Sequence, residues 1–380
     1  MGTTGRLRLT IRLACSVPPH PSLIDMVVQI IDKSRLFFME IKPFHRKITE
    51  LQIQQFLHFN SVHDLSHLIN IDTDIIEHVF DEPKRYHEFP IPKRKGGKRL
   101  IHSPSRPLKD IQKRLSIYLT RIYHEYAPAY VHGFIRSNKK TSSRNIITNA
   151  TQHLDRPYVL NIDIENFFPS INAELIKSAF NKLPFQMYSD EGASIISLLL
   201  TRNWILPAGS PASPIVSNII FYETDIALHK YCLENKLVYT RYADDLTFSG
   251  ELINDHMTEA IKKIIIYHSF MINDKKVRLQ SKQSAQYVTG IKVNNKLNVN
   301  RKYIRQLRSI LHDWESNGLE MASTRYYAGK LHRYQNRLDM YTSFKASVQG
   351  KLAFLQQIKQ EEPVLQGLYK RFIALKNTCM

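Results

Sequence analysis

The chain is poor in cysteine, in long apolar runs and in acidic residues. Its three cysteines, Cys15, Cys232 and Cys379, lie far apart and form no Cys-x-x-Cys pair. This spacing argues against a disulfide framework or a thiolate zinc site and favours a reducing, cytoplasmic setting. No run approaches the roughly 18 apolar residues that a membrane span needs. We therefore expect a cytoplasmic protein without a membrane partner.

Acidic residues are outnumbered, since 34 Asp and Glu face 53 Lys and Arg among 380 residues, a formal net charge of +19. Such an excess indicates a polyanionic partner, with nucleic acid ahead of an anionic membrane surface. The excess is concentrated, because residues 91–145 hold 14 Lys and Arg against 2 acidic residues and residues 301–380 hold 14 against 6. The length predicts two or three domains.

A basic hairpin is the clearest feature of the first half of the chain. Residues 89–101 read as two short strands around a Gly96-Gly97 turn, after a stretch that suggests short helices. The cations around the turn are Lys93, Arg94, Lys95, Lys98 and Arg99. Residues 1–40 lack a comparable pattern, and we expect an N-terminal extension there, disordered or left by an over-long gene start. The alternative is an export or transit signal, which Arg6, Arg8 and Arg12 ahead of a small-residue stretch loosely resemble.

Two strand patterns farther along end in carboxylates. Tyr158–Asp163 is one strand, and residues 237–249 read as two strands broken by a tight turn over Ala243-Asp244. Between them, a proline- and glycine-rich loop over residues 207–214 excludes a regular element. Beyond residue 301 the period becomes helical, and the predicted core stripe is Tyr327, Leu331, Tyr334, Leu338, Tyr341, Phe344, Val348, Leu352 and Leu355.

These strand ends suit two-metal nucleotide transfer. That reaction needs two divalent cations about 3.5 to 4 Å apart, held by hard oxygen ligands. Asp163 and Asp244 can converge if their strands are sheet neighbours about 4.8 Å apart. Asp245 must then point away or reach one ion only, because successive strand side chains alternate. An isolated Asp-Asp turn is more often structural, so the combination with the second strand and the charge carries the prediction.

Together these motifs resemble the reverse transcriptases, and more narrowly the bacterial retron reverse transcriptases. Tyr242-Ala-Asp-Asp245 is similar to the family's catalytic hairpin, residues 160–171 to its first metal-binding motif, and residues 209–218 to its template and nucleotide loop. Asn149-Ala-Thr-Gln-His153 and Val288-Thr-Gly290 resemble two elements typical of retrons. The order of the five motifs is that of the family.

The resemblance implies an α+β fold, the right-hand polymerase. Its parts would be fingers, a palm whose antiparallel sheet packs on helices, and an all-helical thumb. Residues 41–155 would hold N-terminal helices and fingers, residues 156–300 the palm with interleaved fingers elements, and residues 301–380 the thumb.

By position in these motifs, Asp163 and Asp244 would bind two Mg²⁺ ions, with Mn²⁺ as an alternative, and Asp245 would be a weaker third carboxylate. The carbonyl of Ile164 would be a further ligand. Lys276, in an Asn-x-x-Lys pattern, would donate a proton to the leaving pyrophosphate. Its neighbour Lys275 is nearly as good a candidate, and a plain surface lysine is the alternative.

The incoming deoxynucleoside triphosphate (dNTP) would meet three further residues. Arg99 would clamp the triphosphate, since a guanidinium can bind two phosphate oxygens at once; Lys93, Lys95 or Lys98 could add a second charge. Phe168 would exclude a ribonucleotide 2′-hydroxyl, unless Phe168 rather than Phe167 is the core residue. Gly209 would offer backbone contacts. Ala208 replaces the glutamine common in the family, which implies altered fidelity or nucleotide preference.

A last group would contact RNA or primer. Asn149 and His153 share one face of a predicted helical turn and could read base edges or 2′-hydroxyls, although such residues more often cap or pair locally. The other candidates are Val288, Thr289, Gly290, Lys330 and Arg333.

The implied activity is RNA-templated DNA synthesis from dNTPs. The template would be a cognate structured noncoding RNA, priming would come from a 2′-hydroxyl of that RNA, and the product would be a branched RNA–DNA hybrid that stays bound. Anti-phage defence with a separate effector protein is also implied, since the thumb accounts for the chain after residue 300.

Two other functions are open to the same sequence. A group II intron-like or diversity-generating reverse transcriptase shares the catalytic motifs, but the missing maturase region disfavours the intron type and the two retron elements favour a retron. A catalytically idle RNA-binding scaffold is the alternative outside the enzymes. The intact Asp163 and Asp244 argue against it, whereas Ala208 keeps it open.

Overall fold

The computed structural model describes residues 47–93, 96–135, 143–359 and 362–377. The expectations for residues 1–40, for Cys15 and Cys379, and for Arg94 and Lys95 lie outside the described residues. Cys232 is buried and free. In the described ranges, no helix is both long and apolar enough to cross a membrane.

Short helices and a hairpin make up the first part of the described chain, as predicted. Helix α1 (Glu50–His58) begins at a capping box between Thr49 and Gln52, and α2 (Val62–Ile69) begins at Ser61. The elements that follow are α3 (Thr73–Asp81), β1 (Tyr86–Pro92), β2 (Lys98–Pro104) and α4 (Arg106–Tyr126). Strands β1 and β2 pair antiparallel and form the fingers hairpin.

Four antiparallel strands form the palm sheet: β3 (Tyr158–Asp163), β4 (Val238–Tyr242), β5 (Asp245–Gly250) and β6 (Arg278–Ser281). Their order is β4-β5-β3-β6. The helices of this part are α5 (Ile146–Thr151), α6 (Ala173–Phe180), α7 (Asp190–Leu200), α8 (Ser213–Ile220), α9 (Tyr222–Glu234) and α10 (Asp255–Tyr267). The predicted α+β fold with an antiparallel sheet is confirmed.

A second hairpin, β7 (Tyr287–Val288) and β8 (Ile291–Lys292), leads to the thumb helices α11 (Arg301–Tyr326), α12 (Arg337–Ile358) and α13 (Pro363–Asn377). Trp314 of α11 packs edge-on against Phe344 and Phe372 of the other two helices. The same apolar cluster continues into Val288 and into Val159 of β3. The thumb helices therefore share one core with the palm side.

The predicted apolar stripe does not run along one helix. Helix α11 ends at Tyr326, a 3₁₀ turn covers Leu331–Arg333, and α12 begins where the side chain of Asn336 accepts a hydrogen bond from the Asp339 backbone. Leu331 and Leu338 are 43% and 73% exposed. The stripe is a buried core only from Phe344 onward. Its earlier residues belong to the irregular segment between the two helices and to the first turns of α12, which begins at the Asn336 cap.

Candidate active site

Three aspartates meet at one end of the palm sheet. Asp163 closes β3 and is paired in register with Asp245, the first residue of β5. The connecting turn from β4 carries Ala243, with φ of +60°, and Asp244. The backbone of Ile164 donates a hydrogen bond to the carbonyl of Asp244 over 3.1 Å. The strand register thus brings together the four residues that the sequence predicts as metal ligands.

Negative charge is crowded among these carboxylates. Burial raises the pKa of Asp244, and the charge of Asp163 adds to the shift, while Lys276 and Arg99 oppose it. Asp245 is exposed where it lines a cleft beside the sheet. Partial loss of water to the surrounding protein still raises the pKa of Asp245 to about 7, and repulsion from Asp244 and Asp163 contributes.

This carboxylate cluster fits a divalent cation, because a cation would relieve the repulsion that raises those two pKa values. Among the described residues, no group of three His, Cys, Asp or Glu side chains is already spaced as a metal site. Magnesium usually takes only one or two protein carboxylates and completes its shell with water and substrate phosphates. A pair of aspartates at each ion is therefore sufficient.

The ammonium group of Lys276 already neutralises one of the carboxylates. Lys276 lies in a 3₁₀ turn, Asp274–Lys276, and its Nζ donates to Asp163 Oδ2 over 2.7 Å. The turn is held against β3, since the backbone of Asn273 donates to the carbonyl of Asp163 over 2.9 Å. Lys275, the other candidate, is exposed one residue earlier.

The fingers hairpin rests on the proline-rich loop. The backbone of His102 donates to the carbonyl of Ala208 over 2.7 Å. Gly209 has φ of +126°, and a Cβ there would lie 2.6 Å from the carbonyl oxygen of His102. Only glycine allows this approach. Arg99 is exposed on β2 and lies near enough to Asp244 to lower its pKa.

The two adjacent phenylalanines have separate environments. Phe167 is buried and packs against Phe221 and Phe270. Phe168 is half-buried, with its ring 6.1 Å from that of Phe134. Phe167 is therefore the core residue of the pair, and Phe168 is free for the role that the sequence predicts.

Two of the residues predicted to read RNA are instead inside the protein. Asn149 and His153 are both 0% exposed. The ring nitrogens of His153 hydrogen-bond Ser249 of β5 and Thr240 of β4, each over 2.7 Å. Direct RNA contact by the side chains of Asn149 or His153 is incompatible with this burial, because helix α5 and the turn that follows it direct both side chains into the protein.

The Val288-Thr289-Gly290 triplet divides between core and cleft. Val288 is fully buried in the thumb and palm core, so its predicted primer contact is also corrected. Thr289 and Gly290 line a cleft of about 820 Å³, together with Asp245 and Lys276. Lys330 and Arg333 are exposed on the turn between α11 and α12 and are not part of the described lining of this cleft.

Several buried polar residues at the site were not predicted. Gln112 of α4 is buried, donates to the carbonyl of Leu199 over 2.8 Å and accepts from Ser210 over 2.7 Å, which anchors the loop. Arg241 and Asp225 form a fully buried ion pair behind the Ala243-Asp244 turn, which is the proposed catalytic turn. The sequence feature that could have revealed this pair is Arg241 in the middle of the otherwise uncharged strand β4, because a buried charge needs a buried partner.

Comparison with known proteins agrees with this geometry. The family model described as "Reverse transcriptase (RNA-dependent DNA polymerase)" matches residues 91–293, more than half of the chain. The chain therefore belongs to the reverse transcriptase family. A solved telomerase from Candida albicans matches 76% of this chain and 63% of its own, with 9% identity and a TM-score of 0.43.

Relatives of known type indicate which kind of reverse transcriptase the chain is similar to. The chain is 31% identical over 262 residues to the retron Ec83 reverse transcriptase of Escherichia coli, covering 64% of this chain and 80% of that one. It is 28% identical over 260 residues to the retron Ec86 enzyme of E. coli, covering 67% and 78%. For the retron Mx65 enzyme of Myxococcus xanthus it is 29% identical over 274 residues, covering 66% of this chain but only 62% of the relative. Within its family, the chain is of the bacterial retron type.

Proposed function

We propose that this chain is the RNA-directed DNA polymerase of a retron, with its centre at Asp163, Asp244 and Asp245. The observation that carries the proposal is the register of the palm sheet, which pairs Asp163 with Asp245 beside the Asp244 turn. Enzymes of this family generally use divalent metal ions, typically Mg²⁺. Two such ions would sharpen the attacking hydroxyl and stabilise the leaving pyrophosphate.

The side chains around the aspartates have distinct tasks in the proposal. Lys276 holds a proton 2.7 Å from Asp163 and delivers it to the leaving pyrophosphate. Arg99 binds the triphosphate from the fingers hairpin, and the backbone at Gly209 faces the nucleotide. Phe168 stands where a ribonucleotide 2′-hydroxyl would clash. The carbonyl of Ile164 completes the ligand set.

The nucleic acid would lie in the cleft that Thr289, Gly290 and Asp245 line. Its template would be a cognate structured noncoding RNA, primed from an internal 2′-hydroxyl, and its product a branched RNA–DNA hybrid. A separate effector protein, a role in anti-phage defence and a cytoplasmic setting belong to the same proposal. They rest on the retron type of the sequence, and the two positively charged segments support the nucleic-acid partner.

The polymerase proposal is tested by primer extension on an RNA template with purified protein. We expect DNA synthesis from dNTPs that EDTA abolishes and added Mg²⁺ restores. RNA binding without any extension, at every metal concentration, would instead favour the idle scaffold.

The retron proposal has its own test in cells that carry the gene with its upstream DNA. We expect small DNA that shifts in mobility after RNase treatment, because the RNA part of a branched hybrid is digested. Active polymerase without such a branched product would favour an intron-like or diversity-generating reverse transcriptase.

A further inference from the structure

A buried arginine lies directly behind the catalytic turn. Arg241 is 0% exposed on β4, three residues before Asp244. A buried charge is costly unless it is paired and its donors are all bonded. Arg241 is therefore a buried charge that lies close in sequence to the proposed metal ligands Asp244 and Asp245.

The guanidinium makes more contacts than charge neutralisation requires. Nε and Nη2 donate to the two oxygens of Asp225 over 2.8 and 2.6 Å, a bidentate ion pair. The ring of Phe221 lies 4.7 Å from the guanidinium carbon. The remaining nitrogen, Nη1, points the other way and donates to Asn218 Oδ1 over 3.0 Å and to the carbonyl oxygen of Ala243 over 3.2 Å.

Ala243 is the residue of the catalytic turn whose conformation needs support. Its φ of +60° lies in the left-handed region, which residues with a Cβ rarely adopt. Such a conformation persists where the surroundings hold it. The hydrogen bond from Arg241 fixes the Ala243 carbonyl, and this carbonyl shares one planar peptide unit with the backbone nitrogen of Asp244.

A second contact packs directly against the turn. A Cβ on Gly133 would lie 2.3 Å from the backbone nitrogen of Ala243, so the chain at Gly133 packs directly on the turn. The side-chain amide of Asn218 donates to the carbonyl of Gly133 over 3.1 Å. Asn218 therefore links Gly133 to the guanidinium of Arg241.

We propose that Arg241 is a positioning residue that orients Asp244 through the carbonyl of Ala243. Asp225 and Asn218 hold the guanidinium in the one orientation from which Nη1 reaches that carbonyl. The inference rests on the proposed function of Asp244 as a metal ligand. Its physical basis is that two-metal chemistry tolerates displacement of a ligand by only about 0.5 Å.

Replacing Arg241 by lysine separates geometry from charge. Lysine keeps the positive charge opposite Asp225, but its ammonium is a point charge without the planar fork of a guanidinium. It cannot hold Asp225 and reach Ala243 at the same time. A role in charge balance alone would survive Arg241→Lys, whereas a positioning role would not.

The matched control is Arg114→Lys, at a buried arginine of α4. Arg114 donates to the backbone carbonyls of Ile69 and Asn70 at the end of α2, and none of its described hydrogen bonds is to the Ala243-Asp244 turn. We expect both variants to lower the melting temperature, but only the change at Arg241 to act on catalysis.

The measurements are kcat and KM for dNTP on an RNA template, RNA affinity, and the Mn²⁺ affinity of the enzyme–RNA complex by electron paramagnetic resonance. For Arg241→Lys we expect kcat to fall about 10- to 100-fold, since misplacing reacting groups by about 1 Å has effects of that size. Mn²⁺ binding should weaken severalfold, with KM and RNA affinity within twofold of the wild type. Arg114→Lys should leave all four unchanged.

A folded Arg241→Lys variant with wild-type kcat and Mn²⁺ affinity would overturn the positioning role. If that variant does not fold, Asn218→Ala decides, because it leaves the ion pair with Asp225 in place: a severalfold lower kcat supports the inference, and an unchanged kcat overturns it. A wild type that makes no DNA would overturn the proposed function and this inference with it, whereas an active wild type beside a fully active Arg241→Lys overturns the positioning role alone.

Discussion

At the level of single residues, the ion pair between Lys276 and Asp163 links the charge of the site to the proposed proton transfer. The Lys276 ammonium lies 2.7 Å from Oδ2 of Asp163, which is also a proposed metal ligand. Metal binding to Asp163 would release the ammonium toward the phosphates of the incoming nucleotide. The same side chain can then act first as a counter-ion and later as a proton donor.

Replacing Lys276 by methionine tests this role. We expect the rate of single-nucleotide incorporation to fall about 100-fold, because general acid catalysis contributes about 100- to 10,000-fold. RNA affinity should change little. Rapid-quench kinetics under single-turnover conditions measure the rate.

The matched control is Lys275→Met, which removes the same charge from the same turn. We expect this variant to stay within about threefold of the wild type. Equal losses in the two variants would show that the turn supplies only a general positive charge and would contradict the assignment to Lys276.

At the level of elements, the Asn149–His153 motif, which begins on helix α5, stabilises the fold rather than contacting RNA through these two buried side chains. His153, two residues after the end of this helix, hydrogen-bonds Thr240 of β4 and Ser249 of β5, the two strands that flank the Ala243-Asp244 turn. Burial lowers the pKa of His153 to about 3, and electrostatic interaction with His132 and Arg156 adds to the shift. The imidazole is therefore neutral inside the fold at physiological pH.

This burial predicts a pH dependence of stability. In the unfolded chain a histidine takes up a proton below about pH 6.5, whereas folded His153 does so only near pH 3. The contribution of neutral, buried His153 to the free energy of unfolding is thus fully present above about pH 6.5, and it is lost as the pH falls toward 3. At pH 5 the loss from one such group is about 2 kcal/mol.

Urea unfolding of the wild type and of His153→Gln at pH 7.5 and pH 5 measures the effect. We expect the variant to be less stable at pH 7.5, with the difference shrinking by about 2 kcal/mol at pH 5. His256→Gln, at an exposed position on α10, should follow the wild type. A constant difference between the wild type and His153→Gln would contradict the assigned burial.

The turn between α11 and α12 is a second element with a testable role. Lys330 and Arg333 are exposed there, on an irregular segment rather than on the predicted continuous helix. If both contact phosphates, Lys330→Gln with Arg333→Gln should reduce the slope of log affinity against log salt by about 1.5 to 2. RNA binding titrated from low to moderate salt gives the slope.

A double variant elsewhere serves as the control for that experiment. Lys230→Gln with Lys263→Gln removes the same charge from exposed positions on α9 and α10. We expect its salt slope to match the wild type. A thumb-turn variant with an unaltered slope would exclude phosphate contact at Lys330 and Arg333.

At the scale of the whole molecule, the charge and the core are distributed differently. The positive excess lies in residues 91–145 and 301–380, which include β2 with Arg99 and all three thumb helices. The apolar core instead runs without a break from β3 through the β7–β8 hairpin into the thumb helices. We therefore expect the thumb helices to be stabilised by the palm side rather than on their own.

The sequence predicted the strands and the catalytic turn because alternating apolar residues ending in aspartate form a local pattern. It also predicted the fold class, through the order of the motifs. It could not reveal that His153 and Val288 are buried, since both belong to motifs whose contacts come from distant strands. Nor could it pair Arg241 with Asp225, because the pair depends on how α9 packs behind β4.

The central claim is that Asp244 is a metal ligand for DNA synthesis on RNA, and Asp244→Asn tests it most directly. The change preserves shape and removes one carboxylate charge. The control is Asp274→Asn, an exposed carboxylate that pairs with Lys262. The measurement is single-nucleotide incorporation on an RNA template, with RNA affinity determined in parallel. We predict loss of incorporation by more than about 1,000-fold (over 4 kcal/mol of barrier) in Asp244→Asn, with RNA affinity within twofold and Asp274→Asn fully active. Incorporation by Asp244→Asn at the wild-type rate would contradict the account.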